Sequence, residues 1–426
     1  MYRPRALGLW RALVFGLAIS VLAACGGLSA DDSGGDDSGS TSGGYTALRT
    51  GKDATSTETD ALAALPASVK TSYDGFWHST RLGPSPYANW TPPKAPWKFC
   101  YSSAYQGNSW RAEGLTVARN IVAQLKTQNL VDGDLVVADA NNNASLQATQ
   151  VTTMVQQGCQ VIFAMQPPSV GMCNAFDNAN KAGALVVVMQ TGTECTNVIQ
   201  SDFAQYATGA KSAQWLVEKS GGQGTVVMCD GIPGVAAAEA RQAAAAAVFR
   251  KAGLKVDRIT GEWTPSTIKS QMLSYLSTHA GNVAGVWDGG VCAVAVNEAF
   301  QQAGRTLPFV SGFEGGCAWL ASWKQTGKES IGFTQGGGQG VVEAFKVALR
   351  LLAGQKSTVN TLLYPLPEIN AGNFAQYYKP QMTLNSGCNA QPLDGESVPD
   401  SYYDALFTGD AKPATFTADL GALPIK

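Results

Sequence analysis

From Trp97 onward, short, largely apolar runs alternate with segments whose apolar residues recur at helical spacing. The first runs are WKFCYSS (97–103), DLVVADA (134–140), CQVIFAM (159–165) and ALVVVMQ (184–190), with helical stretches between them near 110–126, 144–157 and 172–182. Runs this continuously apolar predict strands of a parallel sheet covered on both faces. A second set repeats the rhythm: GTVVMCDG (224–231), LKVDRI (254–259), VAGVWDGG (283–290) and LPFVSGF (307–313), with helices near 236–252, 266–279 and 291–304. The βαβα alternation predicts an α/β fold built from two doubly wound parallel-sheet lobes.

The first 25 residues break this pattern. Arg3, Arg5 and Arg11 precede an apolar run from Leu13 to Ala24, too short for a bilayer span of ~20 residues and of the right length for an export signal. The ending Leu22-Ala23-Ala24-Cys25 resembles the lipobox of bacterial lipoproteins, which implies cleavage before Cys25 and a lipid on its sulfur; the plainer reading is an ordinary signal peptide with an incidental Cys. Residues 28–44, LSADDSGGDDSGSTSGG, carry almost no apolar side chains and read as a flexible tether. The boundaries expected are a signal peptide at 1–24, lipidated Cys25 and tether at 25–44, and an N-terminal extension at 45–95.

Composition narrows the function. The 426 residues carry 30 Lys plus Arg against 32 Asp plus Glu, and losing residues 1–24 moves the net charge only from −2 to −5, which argues against a nucleic-acid partner. Two histidines, His78 and His279, are too few for a multi-His metal site or a Ser–His–Asp hydrolase, so neither a metal nor a cofactor is expected. The runs GGQG (221–224) and GGGQG (336–340) lack the GK[ST] of a phosphate loop; they read as a turn and a hinge-adjacent helix start.

An exported chain meets an oxidising compartment, and eight cysteines remain besides Cys25. Each lobe places a Cys after one strand and another after the next, and adjacent parallel strands bring such loops together; the pairs predicted are Cys173–Cys195 and Cys292–Cys317. Cys100 and Cys229 sit in the first strand of each lobe and read as buried thiols. Partners for Cys100, Cys159, Cys229 and Cys388 stay open.

Loops at the strand C-termini carry the chemistry: YQGNSW (105–110), MQPPS (165–169), MQTGT (189–193), EWTPS (262–266), WDGG (287–290), FEGG (313–316) and TQGGG (334–338). A cleft between two such edges is the default ligand site of parallel α/β lobes. Tryptophan faces stack on sugar C–H surfaces while amides and carboxylates read hydroxyls. The segments QQGCQVIFAMQPPS, NANKAGALVVV, LVEKSGGQGTVVMCDGIPGVAAAEAR, NEAFQQAGR with FVSGFEG, and LYPLPEINAGNFAQYYKP resemble, in order and spacing, the ribose/galactose-type periplasmic sugar-binding proteins of ABC importers.

That resemblance covers roughly 97–382 and implies the type I periplasmic binding protein fold with a multi-strand hinge. It implies a first lobe at 96–200 plus 336–356, a second lobe at 201–335 plus 357–382, and a C-terminal extension at 383–426, with the extensions only partly ordered. Crossings are expected near Ser201–Asp202, Thr334–Gln335 and 356–366. The ligand positions it implies are Asn108, Trp110, Gln166 and Gln190 in the first lobe, Arg241 (with Ile232), Trp263, Asp288, Gly289 and Glu314 in the second, and Gln335 at the hinge. Gln190 stands where the family has a carboxylate, Gly289 where it has an amide, and Glu314 where it has Asp. Plainer roles compete: Trp287 as core filling, Arg241 as a solvated helix charge, Asp288 and Glu314 as helix caps.

The expected function is an exported, lipid-anchored, monomeric solute-binding protein of the cell envelope. It holds a small polar ligand, a sugar foremost, and hands it to a membrane permease. A sensory receptor of the same fold is the first rival. A secreted glycosidase using Asp288 and Glu314 is the second, and lacks a spaced acid–base pair; no enzyme is expected.

Overall fold

The computed structural model describes residues 51–76, 80–168, 170–393 and 398–418; the signal, Cys25 and tether readings, and His78, lie outside them. After two short helices, α1 (Ser56–Ala64) and α2 (Ala67–Lys70), the chain runs β1 (Phe99–Ser103), α3 (Ser109–Thr127), β2 (Val136–Asp139), α4 (Ala144–Gln156), β3 (Val161–Met165), α5 (Cys173–Lys181), β4 (Leu185–Met189) and β5 (Ile199–Phe203). A second series follows: α6 (Gln205–Ser220), β6 (Thr225–Asp230), α7 (Ala236–Lys251), β7 (Lys255–Thr260), α8 (Pro265–Thr278), β8 (Val283–Asp288), α9 (Ala293–Gln302), β9 (Phe309–Val310), α10 (Cys317–Thr326) and β10 (Gly332–Phe333). The chain then passes through α11 (Gly337–Leu352), β11 (Lys356–Ser357), β12 (Thr361–Tyr364), β13 (Glu368–Ile369), α12 (Phe374–Tyr377), α13 (Asp400–Asp404) and β14 (Phe407–Thr408).

The first sheet is wholly parallel, in the order β12-β5-β4-β3-β1-β2. Its side chains alternate between two cores, as a pleated strand requires. Phe99, Tyr101, Phe163, Met165, Leu185 and Val187 pack under α3 and α11, while Cys100, Ile162, Ala164, Val186 and Val188 pack under α4 and α5. Both faces are dry, which is why these runs are apolar without a break. The second sheet, β7-β6-β8-β9, is also parallel and lies between α6–α7 and α8–α9. The Ala-rich sequence of α7 follows from its close approach to α6: a Cβ on Gly209 would come within 2.8 Å of the Arg241 carbonyl. Trp287 is fully buried and donates to Ser212 Oγ at 2.9 Å, the core-filling role.

The lobes are joined between Phe203 and Gln205, at 334–336, and between Tyr364 and Glu368, where β10 and β13 form a short antiparallel ribbon. The return to the second lobe expected at 357 falls instead after Tyr364. β12 pairs with β5 from Thr361↔Gln200 to Tyr364↔Phe203 and so completes the first sheet.

Four disulfides join described residues: Cys100–Cys159, Cys173–Cys195, Cys229–Cys292 and Cys317–Cys388, with Cα separations of 5.9, 5.2, 6.4 and 5.3 Å. The expected Cys292–Cys317 pair does not form. β8 lies beside β6, so Cys292, just before α9, sits over Cys229 inside β6. Cys317 instead meets the chain returning at Cys388. Cys100 and Cys229 are therefore bonded rather than free thiols.

The extensions are more ordered than their Pro, Ser and Thr content implies. Tyr73, Phe76, Leu82 and Tyr87 from the N-terminal side, and Val398, Tyr403, Leu406 and Phe407 from the C-terminal side, are buried in the α3–α11 core of the first lobe. The Tyr73 hydroxyl donates to the Thr361 carbonyl at 2.7 Å and accepts from the Leu363 N–H at 3.2 Å, pinning the extension to the outermost strand. Pro84 bridges Val359, and β14 pairs with β11. Tyr73→Phe leaves the Leu363 N–H without its partner, so it is expected to cost about 1–3 kcal/mol, seen as a lower Tm in circular-dichroism melts. An unchanged Tm would show that this hydroxyl's hydrogen bonds add nothing to the stability of the lobe.

Candidate functional site

The C-terminal edges of both sheets open on one cavity of about 470 Å³. The backbone there is unusual: Gln166, Gln190, Glu262, Trp263 and Val291 all have φ between +42° and +58°, the left-handed region that non-glycine residues seldom occupy. Such conformations concentrate where the surroundings hold a side chain at a required angle. Here they occur at the ends of β3, β4, β7 and β8, and they turn Gln166 and Trp263 toward the cavity.

From the first lobe, Asn108 caps α3, accepting the Arg111 N–H at 2.9 Å and donating to the Tyr105 hydroxyl at 2.9 Å. That capping frees the first turn of α3 to present Trp110 and Arg111. Trp110 is buried, and its Nε1 donates to the Gln335 carbonyl at 2.8 Å, joining the helix to the crossing at 334–336. A Cβ on Gly337 would collide with the Trp110 carbonyl, so the glycine run at 336–338 exists to let α11 begin against α3. Arg111 is 4 % exposed; its Nη2 donates to Gln166 Oε1 and its guanidinium lies 4.2 Å from the Tyr105 ring centre. Among the described residues its Nη1 has no hydrogen-bond partner, and neither amide atom of the buried Gln335 has one.

From the second lobe, Arg241 is fully buried, its Nε donating to Gln205 Oε1 at 2.6 Å and its Nη1 to the Gly289 carbonyl at 3.1 Å. The guanidinium lies 4.0 Å from the Phe313 ring centre and 5.7 Å from that of Trp263. Burial lowers its pKa to about 10, against the pull of Glu314, Asp202 and Asp288. Trp263 donates to the same Gly289 carbonyl at 3.1 Å. Asp288 accepts the N–H groups of Gly290, Cys292 and Ala293 at 2.6, 3.0 and 3.1 Å, so its carboxylate caps α9 while it borders the cavity. Those bonds occupy the lone pairs an acid–base role with Glu314 would need. Burial pushes Glu314 up to about 7, with Arg241 opposing and Asp288 reinforcing.

Eight of the sequence-derived positions, Asn108, Trp110, Gln166, Arg241, Trp263, Asp288, Glu314 and Gln335, line this cavity. Gln190 and Gly289 do not. Gln190 is spent behind it, its Nε2 donating to the Gly337 carbonyl at 3.0 Å and its own carbonyl accepting Gln166 Nε2 at 3.1 Å. Gly289 contributes only its carbonyl, and a Cβ there would press on the Cys229 carbonyl at 2.7 Å. Sequence reasoning missed Arg111, whose neighbour Trp110 took the attention, along with Tyr105 and Lys269. It also missed the segment from Leu384 to Asn389, which borders the cavity although it was assigned to the extension; Cys388 was its one visible signal. Among the described residues, no cluster of three or more His, Cys, Asp or Glu is placed to hold a metal.

A model of the periplasmic binding protein domain matches residues 99–356. The chain is 24 % identical over 193 residues to the ribose import binding protein RbsB of Bacillus subtilis, covering 45 % of this chain and 62 % of that protein. It is 26 % identical over 191 residues to the xylitol-binding protein of Mycolicibacterium smegmatis, covering 43 % of this chain and 53 % of that one. It thus matches only about half to three-fifths of the length of these relatives. A solved solute-binding protein of an ABC transporter from Actinobacillus succinogenes, with bound D-allose, superposes with a TM-score of 0.58 at 18 % identity, covering 66 % of this chain and all of that one. These are binding proteins by name, in line with the expectation of a non-enzymatic role.

Because Glu314 titrates near 7 in the folded state against an ordinary 4.5, the folded protein holds the extra proton between those values, and stability falls as pH rises through that window. Glu314→Gln removes this dependence. In the absence of ligand its Tm is expected to exceed that of the unmodified protein at pH 8 and to converge with it near pH 4; a constant difference across that range would show that Glu314 does not titrate there.

Proposed function

The chain belongs to the periplasmic binding protein family, and from that membership and the chemistry of its cavity we propose that it captures a small polyhydroxylated molecule, a sugar or sugar alcohol, between its lobes. The observation that carries this reading is the set of buried polar atoms beside the cavity that find no partner in the protein: Arg111 Nη1 and both amide atoms of Gln335. A buried donor left unpaired costs about 1–3 kcal/mol, and a ligand hydroxyl relieves that cost. Trp263 and Trp110 supply ring surface for the C–H faces of such a molecule. Glu314 accepts from hydroxyls when ionised and donates when protonated.

Capture works by closure. Arg111 and Gln166 stand on one lobe and Arg241, Trp263 and Glu314 on the other, so a ligand that bonds to both walls stabilises the closed arrangement by its differential affinity. The names and titles of the relatives, which mention ribose, xylitol and D-allose, support a pentose-to-hexose scale of ligand. The lipobox-like Cys25 after an export signal supports a protein anchored outside the cytoplasm, where the closed form docks as a monomer on the permease of an importer.

A thermal-shift screen of D-ribose, D-allose, xylitol and other sugars and polyols tests the ligand class. A true ligand at a hundred times its Kd stabilises by about 2.7 kcal/mol. Trp263→Ala is expected to weaken binding of that ligand at least tenfold, measured by calorimetry. No shift with any polyhydroxylated compound, and a shift with another class, would refute the reading. The anchor is tested separately: Cys25→Ser is expected to abolish metabolic labelling with palmitate and to release the protein from membranes.

A further inference from the structure

The segment from Leu384 to Gln391 runs between the lobes and is held differently by each, Cys388 and Ala390 facing the second lobe and Asn389 and Gln391 the first. On the second lobe, Cys388 is bonded to Cys317 at the start of α10, the Cys317 N–H donates to the Cys388 carbonyl at 2.8 Å, and the Ala390 N–H donates to the Gly315 carbonyl at 2.6 Å. On the first lobe, only side chains hold it: Asn389 Nδ2 donates to Glu113 Oε2 at 2.6 Å and Gln391 Nε2 to Glu113 Oε1 at 3.3 Å. Glu113 projects from α3, is 1 % exposed, and also accepts the Gly338 N–H at 3.2 Å beside the crossing at 334–336. Ahead of and overlapping these attachments, residues 384–389 border the cavity, with Gly387 packed beside Ser109.

We propose that residues 384–391 form a strap that is part of the ligand site and a fourth connection between the lobes, with Glu113 as its releasable latch. The attachment to the second lobe is covalent and laddered, so the strap travels with that lobe. The attachment to the first lobe is two amide-to-carboxylate hydrogen bonds, which break first when the lobes part. The chain beyond the strap is itself docked on the first lobe, where Lys346 Nζ donates to the Val398 carbonyl at 2.8 Å and the Tyr403 hydroxyl donates to Glu343 at 2.7 Å. Release of the latch therefore loosens the lobes without freeing the strap. Glu113 is a positioning residue in this scheme, acting on the ligand through Asn389 and the strap.

The strap's place in the ligand site rests on the reading of the cavity given above; its role as a tether does not. The test uses the ligand-free, full-length protein, comparing the unmodified chain with Asn389→Ala/Gln391→Ala, which spares the buried Glu113, and with Cys317→Ser/Cys388→Ser. Both variants are expected to show a larger radius of gyration by small-angle scattering and faster amide exchange over 384–391. With whichever of D-ribose, xylitol or D-allose the unmodified protein binds, dissociation in Asn389→Ala/Gln391→Ala is expected to be about tenfold faster, equivalent to ~1.4 kcal/mol. A folded Asn389→Ala/Gln391→Ala protein with unchanged scattering and exchange overturns the tether. Unchanged dissociation overturns the strap's part in the site. Failure of the unmodified protein to bind D-ribose, xylitol, D-allose or any other sugar or polyol of the screen overturns the ligand reading and the strap's part in it, while scattering still decides the tether.

Discussion

A buried guanidinium holds the centre of this molecule. Removing an ion from water costs several kcal/mol unless its hydrogen bonds and countercharges are supplied in place, and Arg241 is supplied from every side. Gln205 and the Gly289 carbonyl take its protons, Phe313 and Phe203 give it ring faces at 4.0 and 5.3 Å, and Glu314, Asp202 and Asp288 supply negative potential. Those partners come from the crossing after β5, from β5 itself, from the loop after β8 and from the loop after β9. Gln205 in turn donates to Asp202 at 2.8 Å, so the first crossing is wired to the cavity through one arginine. Burial pushes Asp202 up to about 7, with the Gln205 bond and Arg241 opposing.

The two walls of the cavity are built by different means. On the first lobe an N-cap and a left-handed glutamine aim Arg111 and Gln166 at one another, leaving one Arg111 nitrogen unspent. On the second lobe the polar groups are largely committed: Asp288 to backbone N–H groups, Arg241 to Gln205 and Gly289. Glu314 is the exception, a carboxyl that makes no hydrogen bond among the described residues and has a pKa pushed toward neutrality. The unspent groups thus come from both walls and from the crossing, which is the distribution that couples ligand binding to the separation of the lobes. A site with all its free donors on one lobe would bind without selecting a closed state.

Much of this was legible in the sequence because it follows from short-range pattern. Continuous apolar runs such as ALVVVMQ announced strands buried on both faces, and helices such as 109–127 and 236–251 fell within a residue or two of their expected ends. Seven of the eight cavity residues lie in loops at strand ends, and the family resemblance pointed to them and to Arg241 within α7. What escaped was long-range. The strand at 361–364 pairs with β5 about 160 residues earlier, and nothing local says which lobe it joins. The bond from Cys229 to Cys292 depends on β6 and β8 being neighbours, a fact of strand order. The extensions looked too polar to fold, yet a few aromatic residues, Tyr73, Phe76, Tyr87 and Tyr403, outweigh many serines once they reach the same core. Gln190 shows the opposite failure: a position at the right strand end is spent on the α11 start because Gly337 brings that backbone within its reach.

The extensions also divide labour between the lobes. The first lobe carries six strands, and its core is enlarged by residues from both extensions. The second has four strands and less surface to bury, so a larger share of its stability must come from elsewhere. Each lobe is closed by two disulfides, Cys100–Cys159 and Cys173–Cys195 in the first, spanning 59 and 22 residues, and Cys229–Cys292 and Cys317–Cys388 in the second, spanning 63 and 71 and each worth roughly 4 kcal/mol by loop closure. The second lobe leans more on its long staples, and the first adds the packing of its extensions. Relative motion then falls on the crossings at 203–205, 334–336 and 364–368 and on the strap at 384–391. Trp110, bonded to the Gln335 carbonyl, and Arg241, bonded to Gln205, stand at two of these connections, so residues that line the cavity are also ones that feel the hinge move.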